Sequence, residues 1–170
     1  MKQLDNSAKI KWITRTAILL SLLLAFQILG LPQPITGPVV NFILLFTVVL
    51  NGFYSSMVIG ALSPLIAFSR GILPAPLGPM IPFIILGNLV YIAVFAIARR
   101  KNKKPLYQLL AVVLASVLKY LVLSSAVKFF VAVPAPIAQA MSFPQLITAL
   151  LGGLILILME PVWKNTANKR

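Results

Sequence analysis

Long apolar runs separated by short polar patches set the rhythm of this chain. Predominantly apolar runs of this length cross a bilayer core about 30 Å thick as helices. Six spans follow, at roughly 12–30, 38–51, 53–70, 80–98, 106–131 and 143–162. The second and third share one stretch, because residues 39–69 carry no charge. Unbroken, it would form a helix about 46 Å long at about 1.5 Å per residue. Asn51-Gly52 is a turn signal near its middle, so the pattern predicts a break there. Both resulting spans are short, which tilt or a thin bilayer accommodates. The chain therefore reads as a single membrane domain over residues 1–170: an all-α integral membrane protein, a six-transmembrane-helix bundle.

Charge orients the bundle. Of the 15 basic residues, Lys2, Lys9, Lys11 and Arg15 open the chain, and Arg99, Arg100, Lys101, Lys103 and Lys104 break its middle. Lys164, Lys169 and Arg170 close it. Flanking cations are retained on the cytoplasmic side. Six spans place all three clusters there, with both termini cytoplasmic, whereas an unbroken second span would set Arg99–Lys104 opposite the ends. Trp12, Tyr54, Tyr107 and Trp163 fall near the same inner interface, where amphipathic rings settle. The N-terminal run superficially resembles a signal peptide, but it is long enough to span and no small-residue cleavage site follows, so it reads as a retained first helix.

Composition narrows the chemistry. A net charge of +13 would suggest nucleic acid in a soluble protein, but 60% of the residues are hydrophobic and the mean hydropathy is +1.00. The cations flank apolar segments, so the expected partner is the lipid bilayer and its anionic surface, with no nucleic acid. The chain has no Cys and no His, and its only carboxylates are Asp5 and Glu160. That removes thiol and imidazole nucleophiles and soft or imidazole metal sites. It also leaves almost nothing for the intramembrane carboxylate or imidazole relays that proton-coupled carriers use. The expectation is no enzyme, no metal, no cofactor and no self-powered proton carrier. Glu160, near the inner end of the last span, is expected to meet a basic neighbour.

Three cations and a group of amides remain as candidate chemistry. Arg70 ends the third span at the outer boundary, where its planar fork can clamp a carboxylate or phosphate; alternatively it is an interface cation solvated by water and headgroups. Lys119 lies 13 residues into the fifth span, about 20 Å from its inner end. An intramembrane charge normally faces protein or a watery cavity. A bound anion would neutralise it; backbone carbonyls, or a neutral amine, are the other solutions. Lys128, nine residues on, falls about 180° around an ideal helix, so both lysines share one cavity only if the helix bends. Gln33, Asn41, Asn88, Gln139 and Gln145 concentrate in the outer half. Amides donate and accept, which suits a polar ligand, although each also serves to bond neighbouring helices.

Two short patterns complete the reading. Leu31-Pro32-Gln33-Pro34, Leu73-Pro74-Ala75-Pro76 and Val133-Pro134-Ala135-Pro136 repeat an apolar-Pro-x-Pro unit after each outgoing helix. Proline stiffens its own residue and the one before it, so these outer loops either cover a cavity or simply end helices. Ala17, Ser21 and Ala25 recur every four residues on one face of the first helix. Such small residues let another helix approach closely, either a partner's or one of the same bundle.

Six helices in so short a chain, both ends inside, the Ala-x3-Ser-x3-Ala stripe and a ligand-like outer half resemble the substrate-binding S components of energy-coupling factor (ECF) vitamin transporters. The likeness covers essentially the whole chain. It implies that Ala17, Ser21 and Ala25 contact the ECF transmembrane coupling protein, Ser21 standing where Ala is commoner. It also implies a small-molecule nutrient, a vitamin or precursor, held near the outer face under the loops between helices 1–2, 3–4 and 5–6. Two ATPase subunits would supply the energy, in a prokaryotic cytoplasmic membrane. Arg70, Lys119, Asn41, Asn88, Gln33, Gln139 and Gln145 are then the expected substrate contacts. Two other readings stay open: an autonomous small-solute facilitator or channel, and a purely structural subunit of a membrane complex.

Overall fold

The computed structural model describes residues 6–167, with side chains through Pro161. Lys2, Asp5, Lys169 and Arg170 lie outside the described residues, and Trp163 and Lys164 outside the described side chains. The elements are α1 (Asn6–Ile28), α2 (Gln33–Asn51), α3 (Phe53–Ser69), a 3₁₀ turn (Ala75–Met80), α4 (Ile81–Lys101), α5 (Pro105–Ser125), a π-helical turn (Ala126–Phe130), α6 (Ala135–Ala140) and α7 (Phe143–Ala167). Described residues form no strand. Counting each short turn with the long helix it joins, five segments are long and apolar enough to cross a membrane. The sixth, α3, has 17 residues and reaches only about 26 Å, so it is the one expected span that falls short by itself.

Residue chemistry explains the boundaries. The break between α2 and α3 occurs at Gly52, whose φ of 93° is open only to a residue without Cβ. Its N–H donates to the Thr47 carbonyl at 3.1 Å, closing α2, and its own carbonyl accepts from Ser56 N–H as α3 begins. The helix α4 runs three residues beyond the expected 98, because Arg99, Arg100 and Lys101 fill its last turn, where cations complement the exposed carbonyls. At the start of α2 the expected boundary of 38 is five residues late. Pro34 occupies the first turn of the helix, where a missing N–H costs nothing.

That last observation recurs. Pro32, Pro74 and Pro134 adopt nearly the same extended conformation (φ −54°, −56° and −53°; ψ 148°, 141° and 144°) immediately before a helical turn. Each carbonyl then accepts the first N–H of that turn, from Ile35, Leu77 and Ile137, at 2.9 Å. The three Pro-x-Pro units are thus one device, a proline-capped helix start used three times. They begin helices rather than end them.

Consecutive long helices alternate in direction. Asn51 Nδ2, at the end of α2, donates to the Trp12 carbonyl of α1 at 3.0 Å and to Ser55 Oγ of α3 at 2.8 Å. Thr16 and Ser55 share a short hydroxyl hydrogen bond beside it. Arg99 of α4 meets Glu160 of α7 with Arg99 Nη2 to Glu160 Oε1 at 2.7 Å and Arg99 Nη1 to Glu160 Oε2 at 2.9 Å. The start of α1, the α2–α3 and α4–α5 turns and the later part of α7 therefore share one end, the basic end. Trp12, Tyr54 and Tyr107 are all exposed near it.

Two apolar clusters fill the bundle: Leu45, Tyr91, Phe95, Val112 and Leu156 among α2, α4, α5 and α7, and Leu23, Ile43, Leu44, Ile59 and Ile92 among α1 to α4. A third, with Leu77, Met80, Leu123 and Met141, lies under the Pro-x-Pro end. Large apolar side chains such as Leu110, Leu114 and Leu158 face outward, a surface compatible with lipid. In lipid, which is as apolar as they are, close packing rather than water exclusion would hold the helices. Gly152 of α7 supplies it: a Cβ there would stand 2.6 Å from the Pro38 carbonyl and 2.7 Å from Asn41 Cβ.

Candidate ligand-binding site

A cavity of about 420 Å³ opens at the Pro-x-Pro end of the bundle. All three proline-capped starts reach it, through Leu31 and Gln33, Leu73 and Pro74, and Pro136 and Ile137. Deeper in, Asn41, Asn88 and Lys119 line it from α2, α4 and α5. The volume falls in the usual range for small-molecule sites, about 300–1,000 Å³.

Lys119 organises the deep wall. Its residue is only 3% exposed. Nζ donates to Asn41 Oδ1 at 2.6 Å and to Asn88 Oδ1 at 2.8 Å, and it sits 5.4 Å from the centroid of the Tyr91 ring, within cation–π range. The Tyr91 hydroxyl donates to the Ala149 carbonyl at 2.7 Å, which fixes that ring. Among the described residues Glu160 is the only carboxylate side chain, and it is held by Arg99 at the basic end. Lys119 therefore has neutral partners among them. An ammonium carries three donors, and these two amide oxygens take two.

Backbone features aim both amides. Pro64, inside α3, has no N–H to give the carbonyl four residues earlier. That carbonyl belongs to Gly60, and Asn88 Nδ2 donates to it at 3.1 Å instead. The bond turns Asn88 Oδ1 towards Lys119. Gly60 also admits α4 at close range: an added Cβ would stand 2.7 Å from Ile92 Cδ1 and 3.5 Å from Asn88 Cβ. Asn41 Nδ2 donates to the Gly37 carbonyl one turn back at 2.9 Å, leaving its Oδ1 for Lys119. Asn88→Ala removes the acceptor for one Lys119 proton and the donor for Gly60. Its expected cost is about 2 kcal/mol, the range for buried groups left unsatisfied, read as a lowered Tm in detergent.

The expected contacts divide. Asn41, Asn88, Lys119, Gln33 and Gln145 line the cavity. Arg70 and Gln139 are exposed and do not. Arg70 follows the last residue of α3, and Gly71 at φ 71° reverses the chain behind it. Ile72, Leu73 and Pro74 reach the cavity in its place. Gln139 sits on the outward side of α6, while Pro136, Ile137 and Ala140 face in. Lys128, just after α5, is also exposed, with Nζ 5.3 Å from the Phe129 ring.

One lining residue escaped the sequence reading. Gln27 borders the cavity from α1, and its Oε1 is buried without a hydrogen-bond partner. Its position in the outer half, like that of the other amides, was the available signal. On the same helix Ala17, Ser21 and Ala25 are all exposed, so the small-residue stripe is not consumed by packing within the bundle. The chain matches no known family model, no curated protein and no solved structure.

Proposed function

We propose that this protein is the membrane-embedded substrate-binding subunit of an ECF-type importer, capturing a small water-soluble vitamin or precursor at the outer face of a prokaryotic cytoplasmic membrane. The observation that carries the reading is the cavity at the Pro-x-Pro end, which three proline-capped helix starts surround and a buried lysine–amide cluster floors. Positive-inside bias sets the basic end in the cytoplasm. Both termini are then cytoplasmic, α3 crosses as the sixth span, and the cavity faces outward.

Two further features agree with this role. The exposed face of Ala17, Ser21 and Ala25 leaves room for close approach by a helix of a transmembrane coupling protein. Lys119, the cation lining the cavity among described residues, has no carboxylate beside it with which to relay protons, so uptake draws its energy from two partner ATPases. The test is flux. Proteoliposomes holding the chain alone should bind nutrient without equilibrating it, and added coupling protein and ATPases should make uptake ATP-dependent. Rapid equilibration by the chain alone would identify a facilitator.

A further inference from the structure

The lining of the cavity restricts its occupant more narrowly than "a vitamin". Resting on the reading above, we infer that the cargo is a saturated aliphatic monocarboxylate bearing a hydroxyl or amide N–H, its carboxylate at Lys119 and its donor at Gln27.

Three observations lead there. First, Lys119 is the single cation lining the cavity among the described residues. It is buried, it spends two of its three donors on amide oxygens, and it has no carboxylate partner among the described residues. A buried unpaired ammonium is costly, and one ligand carboxylate offsets that cost with a charge-assisted bond from the third donor. A phosphate, with close to two charges, would need more cations than the lining offers.

Second, among the described residues no aromatic side chain lines the cavity. Sites for flat bases and ring systems stack them on Phe, Tyr, Trp or Arg planes. The apolar part of this lining is instead aliphatic, with Val40, Leu73, Leu77, Ile84, Leu123 and Met141. Tyr91, whose ring centroid lies 5.4 Å from Lys119 Nζ, is fully buried and takes no part in the lining. Such a wall fits branched or saturated carbon rather than a planar heterocycle.

Third, Gln27 borders this cavity and its Oε1 is buried beside it without a partner, one side-chain rotation from an occupant. A buried acceptor left unmade carries a penalty, and a ligand O–H or N–H removes it. A donor group on the cargo is therefore as much a requirement as the carboxylate.

The test is equilibrium binding by the detergent-purified full chain to three probe sets. The first holds saturated acids of this kind (pantothenate, biotin and N-acyl amino acids) with their methyl esters and, where a hydroxyl is present, their deoxy analogues. The second holds flat heterocycles (thiamine, riboflavin, nicotinate), and the third holds phosphorylated forms of the acids. At least one acid should bind, and its ester should bind about 10- to 150-fold more weakly, the equivalent of one charge-assisted bond. Lys119→Met should abolish the acid–ester difference. Gln27→Leu should keep that difference while erasing preference for the donor-bearing acid over its deoxy analogue, which also shows that the variant protein is folded. Tightest binding by a heterocycle or a phosphate, or failure of every acid, would overturn the inference and leave the capture role standing. Solute equilibration by the chain alone would instead overturn the capture role itself.

Discussion

Glu160→Ala should be among the most destabilising single substitutions in this protein, at about 3 kcal/mol or more. Glu160 and Arg99 form a two-pronged pair, with side chains 8% and 13% exposed. Gln108 accepts from the same guanidinium and donates to the Lys103 carbonyl at 2.8 Å, so the pair closes α4, α5 and α7 at the basic end. Removing one partner strands the other charge, which typically costs about 3–5 kcal/mol when buried. Replacing both with apolar residues of similar size removes the stranded charge as well. Arg99→Met combined with Glu160→Met should therefore recover most of the loss. Thermal unfolding of the two variants in one detergent checks both statements; equal Tm for both would contradict them.

Gly152→Val should be comparably severe, and it should act at both the bundle and the site. Where Gly152 passes α2, an added Cβ would meet a backbone carbonyl, the Phe42 backbone nitrogen and Asn41 Cβ, each at 2.6–2.7 Å. Backbone cannot rotate away as a flexible side chain can, so α7 must retreat from α2. Overpacking of this kind costs about 1–3 kcal/mol and occasionally more; a branched side chain against backbone belongs at or above the top of that range. Retreat also shifts Asn41, and with it one of the two amide oxygens on Lys119. The expected result is a lower Tm together with weaker ligand binding, whereas Gly152→Ala should show the same effects in milder form. An unaltered Tm for the valine variant would mean that the helices are less closely packed than described.

The bundle was legible in the sequence because hydrophobic length and charge placement report directly on spanning helices. The ends of the helices were less so. The first Pro-x-Pro read as a connection before α2, yet proline at a helix start sacrifices no hydrogen bond, and the same two residues open the helix. The basic run at Arg99 read as the loop after α4, yet cations suit the carbonyl end of a helix and extend it. Arg99 itself was expected to join a cytoplasmic cluster; the presence of Glu160 turns it inward.

The site was legible in kind more than in membership. Lys119 stood out because a lone charge deep in an apolar run has to face something. The aim of Asn88 at it depends on Pro64 freeing the Gly60 carbonyl, a three-helix relation no local pattern displays. Arg70 drew attention by its charge, but the turn at Gly71 decides what reaches the cavity. Gln27 carried the same amide signal as its neighbours on a helix where the small-residue stripe was the louder pattern.

The measurement that bears most directly on the central claim is native mass spectrometry of the chain purified alone, paired with thermal shift across B-vitamins, their precursors and other small nutrients. A capture subunit should hold one small molecule per chain and gain about 2.7 kcal/mol of stability at a hundredfold excess over Kd. Lys119→Met should weaken that retention. No bound molecule and no stabilisation by any compound, in a protein that lets solutes leak through proteoliposomes by itself, would contradict the account.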